Sequence, residues 1–183
     1  MTAAGSNSYG YDANGNMITR NGATLAWTSY NLPATLNAGG YSAQFAYGPE
    51  RARWRQISSY ANGTETTIYV GGLLEKFTTA ARTHWKHLIA TPSGQVQVIR
   101  RSDGTSEVLY FATDHLGSTD AVVNAAATVA ARESFSVFGA RRSSSWQGAP
   151  SAGEWQAIID TSRRGFTGHE HLDNVALNGR LWT

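Results

Sequence analysis

The sequence predicts an all-β, antiparallel fold with one short helix near residues 152–160, and three observations carry that prediction. Most of the chain divides into short runs rich in Thr, Val, Ile and aromatic residues, separated by Gly, Asn or Asp, which is the pattern of strands and turns. Asn14-Gly15, Asn21-Gly22, Asn62-Gly63 and Asp103-Gly104 stand between such runs, and these pairs tolerate the positive φ that a type I′ hairpin turn requires. Nineteen glycines against 4 prolines suit a chain with many tight turns.

The predicted strands are 17–20, 23–27, 41–47, 53–60, 64–70, 73–79, 82–89 and 96–101, and the pattern continues at 107–111 and 132–138. Residues 121–131 hold enough alanine for a helix by propensity. Their valines and Thr128 flank a central Asn124-Ala125-Ala126-Ala127, so strand-turn-strand is also open. The helix near 152–160 rests on a capping-box pattern, Ser151 followed by Glu154, and on Trp155, Ile158 and Ile159 at i, i+3 and i+4. Before it, residues 141–148 read as a polar surface loop with Trp146 as its one large apolar anchor.

Composition narrows the classes. At 183 residues and 19.7 kDa the chain fits one domain, residues 1–183. Leu, Ile, Val and Phe number only 33, a scarcity that signals disorder when a large net charge accompanies it. The net charge is +2, and 6 Trp, 8 Tyr and 6 Phe supply the missing apolar area. The pI of 9.0 comes from a small excess of arginine over acid, too little to predict a nucleic-acid partner. No window reaches the ~18 consecutive apolar residues of a membrane span. Met1-Thr2-Ala3-Ala4-Gly5-Ser6 has neither the basic nor the apolar region of a signal peptide. With 0 Cys, disulfides, thiolate metal sites and cysteine nucleophiles are excluded. No phosphate-loop or dinucleotide glycine pattern appears, and no cofactor is expected.

Internal repetition comes next. Tyr11-Asp12-Ala13-Asn14-Gly15-Asn16, Tyr47-Gly48-Pro49-Glu50-Arg51-Ala52-Arg53 and Tyr69-Val70-Gly71-Gly72-Leu73-Leu74 share an aromatic, turn and strand order, suggesting degenerate units of about one hairpin each. Tyr11-Asp12-x-x-Gly15-Asn16 resembles the YD-repeat signature. Asp114-His115-Leu116-Gly117-Ser118-Thr119, Phe135-Ser136-Val137-Phe138-Gly139 and Arg164-Gly165-Phe166-Thr167-Gly168-His169-Glu170 resemble, in order, the repeat-associated core of Rhs proteins. The resemblance spans nearly the whole chain. It implies strand-turn-strand units laid side by side into a spiralling or barrel-like sheet, which in full-length relatives closes around a toxin cargo, and it makes 121–131 a hairpin. Relatives continue past Asn178-Gly179-Arg180 into a self-cleavage segment, whereas this sequence stops at Leu181-Trp182-Thr183, so neither protease nor toxin activity is carried over.

Four groups of residues are candidates for chemistry. His169, His171 and Asp173 would share a strand face at period two and suit a divalent metal; the alternative is a solvated closing segment with no metal. Asp114, His115 and Ser118 have the residue types of a catalytic triad, but their adjacency favours a turn capped by Asp114. Arg51, Arg53 and Arg55 alternate with Trp54 pointing the other way, which lines up three guanidiniums for phosphates or acidic sugars, or for cross-strand acids such as Glu65 or Glu75. Trp27, Trp54, Trp85, Trp146, Trp155 and Trp182 read as core anchors, with Trp146 or Trp182 as exposed exceptions.

The resulting expectation is a non-catalytic structural and interaction module, resembling part of the shell of an Rhs-type polymorphic toxin or cell-surface protein, secreted or at the cell surface. Tyr11, Asp12, Gly15, Tyr47, Asp114, His115, Gly117, Phe166, Gly168, His169 and Glu170 are its structural motif residues. The partners so implied are the remainder of a larger Rhs-like chain or its toxin cargo, or further copies joined through sheet edges. A glycan-binding module taking carbohydrate on exposed aromatics is the alternative, and a metal-dependent enzyme using His169, His171 and Asp173 a further one. No nucleic acid and no membrane span are expected.

Overall fold

Turn chemistry sets the architecture. In the computed structural model, which describes residues 3–4, 7–61, 63–92 and 94–172, one loop geometry joins consecutive strands at seven places. It occupies residues 12–16, 28–32, 48–52, 101–105, 114–118, 124–128 and 136–140. In each, the first N–H donates to the fifth carbonyl and the fourth N–H to the first carbonyl. The fourth residue lies in the left-handed region: Gly15, Asn31, Arg51, Gly104, Gly117, Ala127 and Gly139, at φ from 58° to 85°. This is the three-residue hairpin loop ending in a bulge. Where the first residue is Asp12, Thr28, Asp114, Asn124 or Ser136, its side-chain oxygen also accepts the fifth N–H at 2.8–3.0 Å.

The type I′ expectation therefore needs correction at two pairs. Asn21 (φ 48°) and Gly22 (φ 83°) are both left-handed, as that turn demands. At Asn14-Gly15 and Asp103-Gly104 only the glycine is, because each loop holds one residue more than a two-residue turn. Asn62 lies outside the described residues.

Fourteen strands follow one another, each pairing antiparallel with the next in sequence order. They are β1 (Ala3–Ala4), β2 (Asn7–Tyr11), β3 (Met17–Arg20), β4 (Ala23–Trp27), β5 (Pro33–Ala38), β6 (Tyr41–Tyr47) and β7 (Arg53–Tyr60). Then come β8 (Gly63–Val70), β9 (Leu74–Thr78), β10 (Thr83–Thr91), β11 (Gly94–Arg101), β12 (Ser106–Thr113), β13 (Thr119–Asn124) and β14 (Val129–Arg132). The alanine-rich segment is thus the β13–β14 hairpin and not a helix, since Val122, paired with Phe111, is fully buried on the sheet. The run at 132–138 is not one strand. It breaks at Glu133 into the short β15 (Ser134–Phe135), paired with β16 (Arg141–Arg142), and then the turn at 136–140. The Pro33–Ala38 strand escaped the sequence reading because a proline opens it, where the missing N–H costs a terminal ladder bond at most.

The helix α1 (Ala152–Thr161) carries the full capping box: Ser151 accepts from the Glu154 N–H and Glu154 accepts from the Ser151 N–H. Hydrogen bonds from Ser144 and Ser151 pull the Glu154 carboxyl down to about 2. Ile158 is buried, and α1 lies against β14.

One face of the sheet is buried in three zones. Ala23, Leu36, Ala38 and Ala43 form an apolar cluster at the N-terminal end. Ile99, Leu109, Phe111, Val122 and Ala131 form another beside α1. Between them the same face buries Gln56, Ser58, Glu65, Thr67, His84, Lys86 and Gln97. Tryptophan is not the core anchor expected: none of the five described tryptophans is fully buried, and Trp54 is 42% exposed. Trp146 is exposed as expected, and Trp182 lies outside the described residues.

Gly117 (φ 81°) and Gly168 (φ 73°) both require the left-handed region, which a β-branched residue enters only under strain. Gly117→Val and Gly168→Val should each lower stability by about 1–3 kcal/mol. Thermal melting of the two variants checks this, and unchanged midpoints would remove the claim.

Candidate functional site

A buried polar zone in the middle of a sheet is unfavourable unless its groups are paired. Residues 162–172, which follow α1, run across that zone as a strap and supply the partners. The last carbonyl of α1, Thr161 O, would lack an intrahelical donor; it accepts from Gln97 Nε2 at 2.9 Å and Lys86 Nζ at 3.2 Å. An ammonium at a helix C-terminus is also favoured by the helix dipole. Lys86 is buried, and that burial, opposed chiefly by the Glu75 carboxylate, brings its ammonium down to about 8.

The strap then forms charge pairs strand by strand. Arg163 binds the buried Glu65 of β8 in a two-pronged contact, with Nη2 to Oε2 at 2.7 Å, and its guanidinium lies over the Phe77 ring. Arg164 Nη2 meets Glu75 of β9 at 2.8 Å. Glu170 pairs with Arg53 of β7 and accepts from the Tyr69 hydroxyl at 2.8 Å. Burial and the Glu170 carboxylate push the Tyr69 phenol well above its usual value. Leu172 ends the described strap against the N-terminal apolar cluster. Beside it is a cavity of about 460 Å³ lined by residues including Trp27, Phe45, Tyr47, Arg53 and Glu170.

The strap is also folded on itself. Its turn at 165–169 repeats the loop geometry of the sheet, with Gly168 left-handed. Gly165 sits so close that a Cβ there would lie 2.8 Å from the Phe135 ring and 2.9 Å from His171. The turn docks on the one at 114–118: Ser118 Oγ accepts from the Thr167 N–H at 3.1 Å, and Thr119 N–H donates to Gly165 O at 3.2 Å. Asp114-His-Leu-Gly-Ser and Gly165-Phe-Thr-Gly-His, separate motifs in sequence, are therefore one contact in space. Beneath it, Glu133 and Arg141 form a pair with almost no exposure, and Arg141 also donates to Arg163 O at 3.1 Å.

Asp114 Oδ1 accepts from the Leu116 and Ser118 N–H groups, and His115 is exposed, so the three residues form a turn and not a triad. His169 and His171 do not share a face: a turn, not a strand, precedes Glu170, leaving His169 exposed and His171 buried. His169 Nδ1 lies 2.7 Å from Thr167 Oγ1, and His171 Nε2 accepts from the Phe166 N–H at 3.1 Å. Asp173 lies outside the described residues, among which no three His, Asp or Glu side chains are grouped to hold a metal.

The three arginines do not line one face either. Tyr47 pairs with Arg53 and Ala46 with Arg55, so a bulge at Trp54 turns Arg53 inward to Glu170 and leaves Arg55 outside, 4.9 Å from the Trp54 ring. Arg51 is the left-handed turn residue, over Tyr30. Glu65 and Glu75 are paired as acids of the sheet, but with Arg163 and Arg164. Of the motif residues, Asp12, Gly15, Asp114 and Gly117 build turns, Tyr47 donates to Pro33 O at 2.7 Å, Phe166 packs on Phe135, and Glu170 anchors the strap. Tyr11 is half-exposed at the cavity mouth. The Lys86, Arg163 and Arg164 contacts had no local signal, their partners being 75 to 98 residues away.

Comparison with family models and with curated proteins gives no match. Among solved structures, the chain is similar to crystal structures of TcdB2-TccC3, a Tc toxin containing Rhs/YD repeats. The TM-score is 0.71 at 16% identity, covering 94% of this chain. The TcdB2-TccC3-TEV structure gives 0.71 at 15%, and TcdB2-TccC3-Cdc42 gives 0.70 at 16%. The fold is therefore Rhs-like and all-β. The chain spans only 9% of the length of TcdB2-TccC3. No helix among the described residues is long and apolar enough to cross a membrane.

Two outcomes are expected from the strap. Glu65→Gln strands the buried Arg163 guanidinium and should cost about 3–5 kcal/mol of stability by denaturant unfolding; a loss under 1 kcal/mol would count against a buried pair. Lys86 is charged in both folded and unfolded chains below pH 8, so its burial cost is then complete. Between pH 8 and about 10.5 the folded chain sheds the proton first, so stability should rise relative to Lys86→Met and level off above. A flat difference across that window would refute the burial.

Proposed function

We propose that the chain is a non-catalytic segment of the β-sheet wall of a larger Rhs-type assembly, secreted or displayed at a cell surface. The observation that carries this reading is the strand order: fourteen strands in strict sequence, forming a linear sheet whose buried middle zone is covered by the chain's own strap. Such a sheet extends by adding hairpins at either end without rearranging those already present. The superposition on TcdB2-TccC3 over 94% of the chain supports a wall segment, and the absorption of the Asp114, Ser118, His169 and His171 side chains into turns supports a structural role for them.

A wall segment is expected to seek sheet partners through its terminal strands. Light scattering coupled to size exclusion should show a defined oligomer or concentration-dependent association. A monomer near 19.7 kDa at every concentration would overturn the wall-segment reading in favour of a stand-alone module.

A further inference from the structure

The outer face of the sheet, opposite the strap, sorts its side chains in a way the wall reading does not require. Strand register aligns Arg55, Ile68, Lys76, Trp85 and Arg100 as direct neighbours across β7 to β11. Two residues along the strands lies a second row, Val70, Leu74, His87, Val98 and Val108. Two further on lies a third, Ile89, Val96, Tyr110, Val123 and Val129. On the other side of the cationic row stand Ile57, Thr66, Thr78 and Thr83. Polarity therefore changes in order along the strands: threonine, then cations, then two aliphatic rows, with the exposed Leu73 of the β8–β9 turn level with Leu88 between those two rows.

The charges on this face have one sign. The carboxylates of β7 to β12 are Glu65, Glu75 and Glu107, and all three point to the inner face, where Arg163, Arg164 and Arg101 take them up. Among the described residues, Arg55, Lys76 and Arg100 have no carboxylate partner. Val70, Ile89, Tyr110 and Val129 are each about half exposed. A merely solvated sheet face carries mixed charge and few aliphatics.

We infer that this outer face docks on an anionic lipid surface. Rows two residues apart lie about 7 Å from each other along the strands. Tilting the sheet so that the β8–β9 turn and the aliphatic rows enter the bilayer interface to the usual depth of about 5–10 Å leaves the cationic row at the level of the headgroup phosphates. Trp85 and Tyr110 stand where amphipathic rings are favoured at such an interface. A linear polyanion would be served by the cationic row alone and gives no reason for the two aliphatic rows beyond it.

The test is sedimentation of the 183-residue chain with vesicles of phosphatidylcholine, with and without one quarter phosphatidylglycerol. Binding is expected only to the anionic vesicles and should weaken as salt is raised. Lys76→Glu with Arg100→Glu should reduce it at least about thirtyfold, about fivefold for each cation removed, with repulsion of the two new carboxylates added to that. Leu73→Asp with Ile89→Asp should reduce it at least about tenfold. All four positions are on the surface, and unchanged melting midpoints confirm folding of both variants. No binding to anionic vesicles overturns the inference. So does binding indifferent to either double variant. Binding lost only with the charge reversal, and equalled by a soluble acidic polysaccharide, would reassign the face to linear polyanions.

Discussion

The pairing of Arg163 with Glu65 is the interaction on which the rest of the inner face depends. Glu65 sits in the buried zone, one strand beyond Ser58, which itself pairs with Ala43 of the N-terminal apolar cluster, and its carboxylate is tolerable there only with a cation delivered to it. The guanidinium comes from a segment 98 residues away, so the chain must lay residues 162–172 across the sheet to bring it. Once Arg163 is in place, Arg164 reaches Glu75, Thr161 offers its carbonyl to Lys86 and Gln97, and Glu170 arrives at Arg53 and Tyr69. An aliphatic centre would cost less desolvation, but it would accept a strap in many registers. Paired charges at fixed spacing accept one.

Much of the fold was legible because it is local. The Asp12 and Asp114 turns and the Ser151–Glu154 capping box depend on residues within a few positions of one another, whereas local propensity left 121–131 open between helix and hairpin and the resemblance to YD repeats selected the hairpin. What was illegible is what the backbone brings together from afar. The adjacency of Arg163 and Arg164 gives no sign that the two reach different strands. A single extra residue at Trp54 reverses the facing of Arg53, and alternation counted along the sequence has no means of detecting it.

Turn prediction shows the same limit from another direction. Asn14-Gly15 and Asp103-Gly104 were right as turns and wrong as two-residue turns, because each loop closes through the backbone of the residue three before the glycine, Asp12 or Arg101. Side chains support the two loops differently: Asp12 accepts from the Asn14 and Asn16 N–H groups, whereas in the other loop Asp103 accepts from the Thr105 N–H. The same geometry with Ala127 in the left-handed position shows that the loop is held by its frame of hydrogen bonds even where glycine is lacking.

The strand order carries a further consequence. Because every strand pairs with its neighbour in sequence, nearly all sheet contacts close short loops, the condition under which contacts form fastest. The strap is the exception, with charge pairs to β7, β8 and β9 that span 89 to 117 residues, and it is encoded after every strand it touches. On a ribosome the meander is able to assemble hairpin by hairpin while the strap is still being synthesised. Glu65, Glu75 and Lys86 then remain hydrated until the last step, and the chain never has to bury a charge before its counter-ion exists.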